Sequence, residues 1–174
     1  MNASLLYVMA HVAATQARIV DMASCPSIAA MRVTTFTDYA FRVLMYLALQ
    51  GERRATVDEI AHAYGISVNH LTKVVHQLGR SGWVQTVRGK GGGLQLGQPA
   101  AQIRLGDVAR LCEGDTTFAA CMVNDMKHCR IASACRLAGI LDRAFRTFYA
   151  ELNEHTLADL VRDPAALRER LAVD

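Results

Sequence analysis

The sequence predicts a mainly α-helical fold that carries one small β wing. Three observations support this prediction. Apolar residues recur at helical spacing from residue 36 onward, a glycine-rich segment separates two β-prone runs within residues 83–96, and a long apolar stripe runs from Leu137 to Leu152. The chain has 174 residues and is 52% hydrophobic, so it is long and apolar enough to form one domain with an extension.

The first two helices have clear boundaries in the sequence. Residues 36–48 place apolar side chains on one helical face, and Gly51 ends that helix. Thr56 and Glu59 match a capping box, in which the two side chains each accept a hydrogen bond from the other residue's backbone N–H. We therefore predict a second helix that starts after Thr56 and runs to Tyr64.

A glycine turn separates the second helix from a third. Gly65 interrupts the helical pattern, and Ser67 is placed to cap the helix that follows. The apolar side of this third helix consists of Leu71, Val74, Val75 and Leu78. Its outer side carries Asn69, His70, Lys73, Gln77 and Arg80. This arrangement is typical of a helix-turn-helix, although an ordinary solvated helical hairpin has the same pattern.

The next segment favours the helix-turn-helix interpretation. Two predicted strands, at 83–87 and 94–96, flank a glycine-rich tip that contains Arg88 and Lys90. Glycines let the backbone approach a surface closely, and the two cations would bring charge to DNA phosphates or into a minor groove. The residue order differs from that of a Walker phosphate-binding loop. Together, these segments predict a winged helix-turn-helix.

Two more helices follow the wing. A short helix is marked by Leu105, Val108 and Leu111, and it ends at Gly114. A longer helix over residues 133–154 would extend about 33 Å at 1.5 Å per residue. Its apolar stripe is larger than a small domain covers, so we predict a dimerisation helix. The alternative is a helix that packs only within its own subunit.

Three of the five cysteines lie close together. Cys121, Cys129 and Cys135 form the pattern C-x7-C-x5-C, and the chain between them is short enough to bring the thiols to one point. Soft thiolates bind zinc, copper(I) or iron–sulfur clusters, and three sulfurs need a fourth ligand. Cys135 is predicted in the first turn of the long helix, where the dipole favours a thiolate. Cys112 is interpreted as a small core residue.

The residues alone leave three chemistries open at this segment. These are an iron–sulfur cluster, a zinc site that adds His128 to the cysteines, and a metal-free switch in which two thiols form a disulfide. An enzyme is not expected, because the sequence has no paired carboxylates, nucleophile elbow or cofactor loop. The sequence shows no convincing secretory signal or membrane span, so we expect a cytoplasmic protein.

From Met31 to about Val161 the chain resembles a family of winged-helix regulators that includes nitric-oxide-sensing and iron–sulfur-biogenesis regulators. The three clustered cysteines and the segment Thr156-Leu157-Ala158-Asp159-Leu160 point to the nitric-oxide-sensing branch. The matching segments are Thr37-Asp38-Tyr39-Ala40, Tyr64-Gly65-Ile66-Ser67-Val68-Asn69-His70-Leu71, Arg88-Gly89-Lys90-Gly91-Gly92-Gly93-Leu94, Ala134-Cys135-Arg136-Leu137 and His155-Thr156-Leu157-Ala158-Asp159-Leu160.

The resemblance implies a dimeric repressor that binds double-stranded DNA and responds to nitric oxide through an iron–sulfur cluster. A 4Fe–4S cluster is preferred, with 2Fe–2S as the alternative. Carried onto this chain, the ligands are Cys121, Cys129, Cys135 and, from the partner subunit, Asp38. Ala138 stands where the iron–sulfur-biogenesis branch has a histidine ligand. The remaining alternatives are an iron or redox sensor of the same family and a zinc-stabilised interaction module.

These interpretations assign a role to each part of the chain. The predicted segments are an N-terminal extension at 1–30, the winged helix-turn-helix at 31–105, a short helix and cluster-binding loop at 106–134, the dimerisation helix at 135–155 and a helical tail at 156–174. The residues expected to contact DNA are Ser67 near a phosphate, Asn69, His70 and Lys73 in the major groove, and Arg88 and Lys90 on the wing.

Overall fold

Helices with one β-hairpin make up the structure, as the sequence periodicity predicts. The computed structural model describes residues 33–114, 131 and 134–173; the extension at 1–30, Cys121, His128 and Cys129 lie outside the described residues. Its helices are α1 Thr35–Gln50, α2 Val57–Tyr64, α3 Val68–Arg80, α4 Leu105–Glu113, α5 Leu137–Asn153, α6 Leu157–Leu160 and α7 Pro164–Leu171, with strands β1 Val84–Val87 and β2 Gly93–Leu96 and a 3-10 helix at Ala100–Gln102. Within these ranges, no helix is long and apolar enough to cross a membrane.

Helix α1 lies at the centre of the core. It contacts α2, α3, α4, α6, α7 and β2. Its side chains Val43, Leu44 and Leu47 are almost fully buried, and each contributes about 1.5–3 kcal/mol through removal of apolar surface from water. The partners that complete the core are Ile60, Leu71, Val74, Leu78, Leu94, Ile103, Val108 and Leu157. The apolar residues predicted on the buried face of α3 therefore face α1 and its neighbours.

A side chain from α4 fixes the first turn of α1. Thr34 is the N-cap residue, and its hydroxyl accepts a hydrogen bond from the Thr37 N–H. Glu113, the last residue of α4, accepts at Oε1 from the Thr34 N–H (2.8 Å) and from the hydroxyls of Thr34 (3.1 Å) and Thr37 (2.5 Å). A carboxylate at this position also interacts favourably with the positive end of the helix dipole.

A side chain from α7 fixes the opposite end of α1. Arg168 donates from Nε (3.2 Å) and Nη2 (2.7 Å) to the carbonyl of Leu49 in the last turn of α1. Carbonyls in this turn lack partners within the helix, so the guanidinium satisfies one of them. Pro164 occupies the first position of α7, where its missing N–H and fixed φ are tolerated. The C-terminal tail is therefore a helix attached to the first helix of the unit.

The helix-turn-helix forms as the sequence indicates, with one correction. Thr56 and Glu59 make both hydrogen bonds of the capping box, and α2 ends at Tyr64. Gly65 adopts a left-handed conformation, with φ 65° and ψ 34°, which glycine takes without steric cost. Ser67 occupies the N-cap position of α3, but its side chain makes no capping hydrogen bond with any described residue. The predicted cap is wrong because the serine side chain lies exposed instead.

The wing is an antiparallel pair of four-residue strands. Val84 pairs with Leu96 and Val87 pairs with Gly93, so residues 88–92 form the tip between the strands. Val84 and Leu94 are buried, and they anchor the hairpin to the helical core. The predicted strand positions are confirmed, except that Trp83 lies just before β1.

The long helix α5 starts later than the sequence analysis predicts. It begins at Leu137 rather than Ser133, and its 17 residues extend about 25 Å. Cys135 lies before the helix, and its N–H donates to the carbonyl of Ile131 at 2.8 Å. The predicted location of Cys135 in the first helical turn is therefore wrong. The Cys135 N–H is instead bonded within a local turn that precedes α5.

Helices α4 and α5 pack with their backbones in close contact. A Cβ atom on Gly106 would overlap the carbonyl of Tyr149, so only glycine fits this crossing. Asn153 accepts from the Asp107 N–H (3.0 Å) and donates to the Asp107 carboxylate (3.0 Å). Arg104 donates to the Asn153 carbonyl at 2.6 Å. The end of α5 is thus attached rigidly to the start of α4.

The apolar stripe of α5 is only partly covered by the described part of the chain. No residue of this helix is buried there, and Leu137 and Ile140 are 49% and 52% exposed. A partly uncovered apolar helix face of this kind is typical of an interaction surface. Dimerisation through this helix stays a prediction.

We predict that Thr37→Val lowers the free energy of unfolding by about 1–3 kcal/mol, because the valine removes a buried hydroxyl that donates to the Glu113 carboxylate. Urea denaturation followed by circular dichroism measures the change. Thr72→Val is the matched control. Thr72 is exposed on α3, so replacing its hydroxyl should change the free energy of unfolding by no more than about 0.5 kcal/mol. Equal losses in the two variants would show that the Glu113 contact does not stabilise α1.

Candidate DNA-binding surface and metal-binding segment

The recognition helix α3 presents polar residues on one side because its other side is buried against α1. Asn69, His70 and Lys73 are exposed in its first two turns. Val68, the first residue of the helix, is also exposed at 40%. In helix-turn-helix proteins the N-terminal residues of the recognition helix contact base edges. The structure therefore brings the residues predicted from sequence onto one helix surface of suitable chemistry.

A groove runs between the recognition helix and the start of α1. It has a volume of about 320 Å³ and is lined mainly by apolar atoms of Phe36, Tyr39 and Val74, with His70 and Lys73 at its edge. The rings of Tyr39 and His70 lie 6.4 Å apart between centroids. This contact limits the orientations of His70 on the exposed face of α3.

The wing tip exposes both predicted cations. The side chains of Arg88 and Lys90 are exposed on the turn between β1 and β2. Helix α3 contacts β1, so the recognition helix and the wing belong to the same packed unit. Cations on a wing beside a recognition helix are suited to sequence-independent contacts with phosphates.

Asp38 lies in the first turn of α1 and is 46% exposed. Its Oδ2 accepts a hydrogen bond from Arg42 Nε at 2.8 Å. The Asp38 carboxylate is therefore bound by Arg42 at Oδ2 and remains partly exposed to solvent.

The guanidinium carbon of Arg42 also lies 5.5 Å from the centre of the Tyr64 ring. Burial of the Tyr64 hydroxyl, which finds no hydrogen-bond partner among the described residues, raises its pKa to about 12.

The cysteine segment falls mostly outside the described residues. Of its three thiols, the structure describes Cys135, which is partly buried and two residues before α5, but not Cys121 or Cys129. Ala138 is on the first turn of α5, and it offers no ligand. In residues 33–114, 131 and 134–173, no group of three metal-ligating side chains comes together. The ligand set remains a prediction.

Sequence reasoning missed the residues that connect distant segments. Glu113 lies directly before Gly114 and the cysteine segment, yet its carboxylate contacts the first turn of α1. Arg54 precedes α2 and contacts the wing. No local pattern marks either residue, because their partners are 37 to 79 positions away along the chain.

Comparison with known proteins identifies the family. Residues 33–163 match the family model Rrf2, described as an iron-dependent transcriptional regulator. The chain belongs to the Rrf2 family. Members of this family are transcription regulators and not enzymes, and the two-stranded wing with its helices is the winged-helix fold of these proteins. The match ends before α7, which lies outside the family segment.

Solved structures support the fold. The chain is similar to T. potens IscR, with 24% identity over 82% of this chain and 94% of that one, and a TM-score of 0.63. It is also similar to CymR of B. subtilis, the global cysteine regulator, with 24% identity over 76% and 98% of the two chains and a TM-score of 0.56. For Staphylococcus aureus CymR the identity is 28%, the coverage 73% and 95%, and the TM-score 0.57.

We predict that Cys112 reacts slowly with alkylating agents. Burial, followed by the nearby negative charge of Glu113, raises the pKa of its thiol from 9.0 to about 11. Only the thiolate is nucleophilic, so at pH 7 to 9 the thiolate fraction is about 100-fold below that of an ordinary thiol. Mass spectrometry of iodoacetamide-treated Cys25→Ser protein gives the rate, with the urea-unfolded protein as the control. The rate should still rise about tenfold per pH unit up to pH 9; levelling near pH 8 would contradict the raised pKa.

Proposed function

We propose that the chain is an NsrR-type repressor, which binds operator DNA as a homodimer in the cytoplasm and responds to nitric oxide through an iron–sulfur cluster. The observation that carries this proposal is the C-x7-C-x5-C segment between α4 and α5, in a chain whose family is described as iron-dependent. Cys121, Cys129 and Cys135 supply three thiolates, and Asp38 of the partner subunit supplies the fourth ligand. A 4Fe–4S cluster is preferred to 2Fe–2S.

The donor set fits such a group chemically. Thiolates are the usual ligands of iron–sulfur clusters, and the Asp38 carboxylate is exposed enough to reach iron held by the partner subunit. When bound, the cluster supplies iron that reacts with nitric oxide, and an oxygen ligand holds iron less firmly than a thiolate does. The absence of a histidine at Ala138 leaves a carboxylate as the better candidate for the fourth position.

Dimerisation through α5 explains its exposed stripe. Leu137 and Ile140 are about half exposed, and a second copy of the same helix would bury them. The two winged-helix units of a dimer would contact DNA half-sites whose centres lie about 34 Å apart or at a multiple of that distance. The dimer also makes a ligand from the partner subunit available to each cysteine segment.

Asp38 couples this segment to DNA because of its position. It lies on α1, and α1 packs directly against the recognition helix α3. A bond from Asp38 to a group held by the partner's cysteines would therefore restrain one DNA-binding unit relative to the other subunit. Loss of that bond would release the restraint, so the two recognition helices would no longer be held at operator spacing.

Lys90→Ala should weaken binding to all DNA sequences and reduce the slope of log K against log salt by about 0.9, the value for one phosphate contact. Fluorescence anisotropy with a labelled duplex between 50 and 200 mM salt, roughly the range in which such contacts weaken, measures this. Arg170→Ala is the matched control, because it removes one exposed positive charge from α7. Slopes that change equally in both variants would show that only the net charge matters.

The trans ligand is tested with mixed dimers of an Asp38→Ala chain and a Cys129→Ala chain. If Asp38 acts across the dimer, the mixed dimer assembles one complete site, whereas each homodimer assembles none. Anaerobic reconstitution of separately tagged chains, followed by iron and sulfide analysis and a visible spectrum, measures the result. Asp58→Ala and Cys112→Ser serve as controls, because they remove an acid and a thiol outside the proposed ligand set.

Three outcomes separate this proposal from its alternatives. Colourless wild-type protein with bound zinc would favour a zinc-stabilised module, and metal-free protein with a disulfide would favour a thiol switch. A cluster that forms while nitric oxide leaves operator binding unchanged would favour an iron or redox sensor. A normal nitric oxide response in Asp38→Ala would remove that residue from the mechanism.

A further inference from the structure

A short segment before α2 extends the wing by one position. Ala55 forms two backbone hydrogen bonds with Leu94: its N–H donates to the Leu94 carbonyl at 3.0 Å, and its carbonyl accepts from the Leu94 N–H at 2.7 Å. Ala55 therefore pairs with β2 on the edge away from β1, as an isolated antiparallel bridge. The pairing attaches the wing to the connection between α1 and α2.

Arg54, the residue before this bridge, contacts the wing at two points. Its Nη1 donates to the carbonyl of Gly91 in the tip at 3.0 Å. Its Nε donates to the side-chain oxygen of Gln95 on β2 at 3.1 Å, and Gln95 in turn donates to Gln85 on β1 at 3.0 Å. One guanidinium thus joins the tip to both strands.

The backbone at the base of the tip is shaped for this contact. Gly93 has a φ of 153°, and a Cβ atom there would lie 3.0 Å from both the Ala55 carbonyl oxygen and the Arg54 Cβ. A side chain at residue 93 would push the segment with Arg54 away from the hairpin. Glycine at this position therefore allows the close approach that the two hydrogen bonds of Arg54 need.

We propose that Arg54 is a positioning residue of the wing, which holds the tip in the conformation that presents Arg88 and Lys90 to DNA phosphates. This inference rests on the proposed DNA-binding function and adds a residue from outside the helix-turn-helix and the hairpin. The tip is glycine-rich, so without a side-chain attachment its backbone has many accessible conformations. Ordering it in the free protein lowers the entropy that DNA binding must remove.

Lysine cannot replace arginine in this role. The planar guanidinium donates to the Gly91 carbonyl and to Gln95 from two different nitrogen atoms. An ammonium group presents one nitrogen on a flexible chain, so it cannot make both contacts in this fixed geometry. Arg54→Lys therefore separates the positioning role from the effect of charge alone.

Binding to a mixed-sequence duplex of about 30 base pairs, roughly three helical turns, tests the proposal, because phosphate contacts do not depend on sequence. Arg54→Gln and Arg54→Lys should each weaken binding about tenfold. Arg53→Gln is the matched control. Arg53 is exposed beside Arg54, but it donates to Gln50 and Glu59 rather than to the wing, so its loss should change affinity less than about twofold.

A double-mutant cycle with Lys90→Ala identifies the mechanism. If Arg54 positions the tip, Lys90→Ala should cost less in the Arg54→Gln background than in the wild type. If the losses of binding free energy in Arg54→Gln and Lys90→Ala add, and each variant reduces the salt slope by about 0.9, Arg54 is an independent phosphate contact. That result would overturn the proposal. Full affinity in Arg54→Lys would overturn it as well.

Hydrogen exchange of the DNA-free protein tests the same contact without DNA. Amides of the tip, including the Gly92 N–H that donates to the Gly89 carbonyl at 2.9 Å, should exchange faster in Arg54→Gln than in the wild type or Arg53→Gln. Unchanged exchange would refute the positioning role. If the wild type binds no duplex, the proposed function fails, while the exchange result still decides whether Arg54 holds the tip.

Discussion

The hydrogen bonds at the two ends of α1 determine how the rest of the unit is arranged. Glu113 from α4 binds the first turn of α1, and Arg168 from α7 binds the carbonyl of Leu49 in its last turn. The two charges complement the helix dipole, negative at the N-terminus and positive at the C-terminus. Because the other helices pack around α1, fixing its ends sets the position of the recognition helix, of the wing and of Asp38 at the same time.

Helix α4 lies just before the cysteine segment and contacts both α1 and α5. Its last residue, Glu113, contacts α1, and the cysteine segment starts immediately afterwards. Its first turn is attached to the end of α5 through Asn153 and the close crossing at Gly106. Under the proposed function, a change at the cysteine segment would act on α4 and α5, whose far ends are joined, and through Glu113 on α1.

Local sequence patterns predict most of the helices and strands. They do not predict contacts between residues that lie far apart along the chain. The capping box at Thr56 and the glycine turn at Gly65 depend on neighbours within a few positions, so the sequence reveals them directly. The sequence predicts the start of α5 too early, because the residues around Cys135 form a turn that local spacing does not reveal. The roles of Glu113 and Arg54 come from partners far along the chain, which no local pattern contains. The DNA-contacting and cluster-binding residues stay predictions.

The capping of α1 has a consequence for the order of folding during synthesis. Helix α1 leaves the ribosome early, but Glu113 and Arg168 follow the backbone groups they bind by 79 and 119 positions. Arg168 therefore reaches its carbonyl only after α4, α5 and α6 have been synthesised. Until α4 has been synthesised, the nascent chain holds its central helix with neither end satisfied. The final native arrangement of α1 forms only once α7 can pack against it.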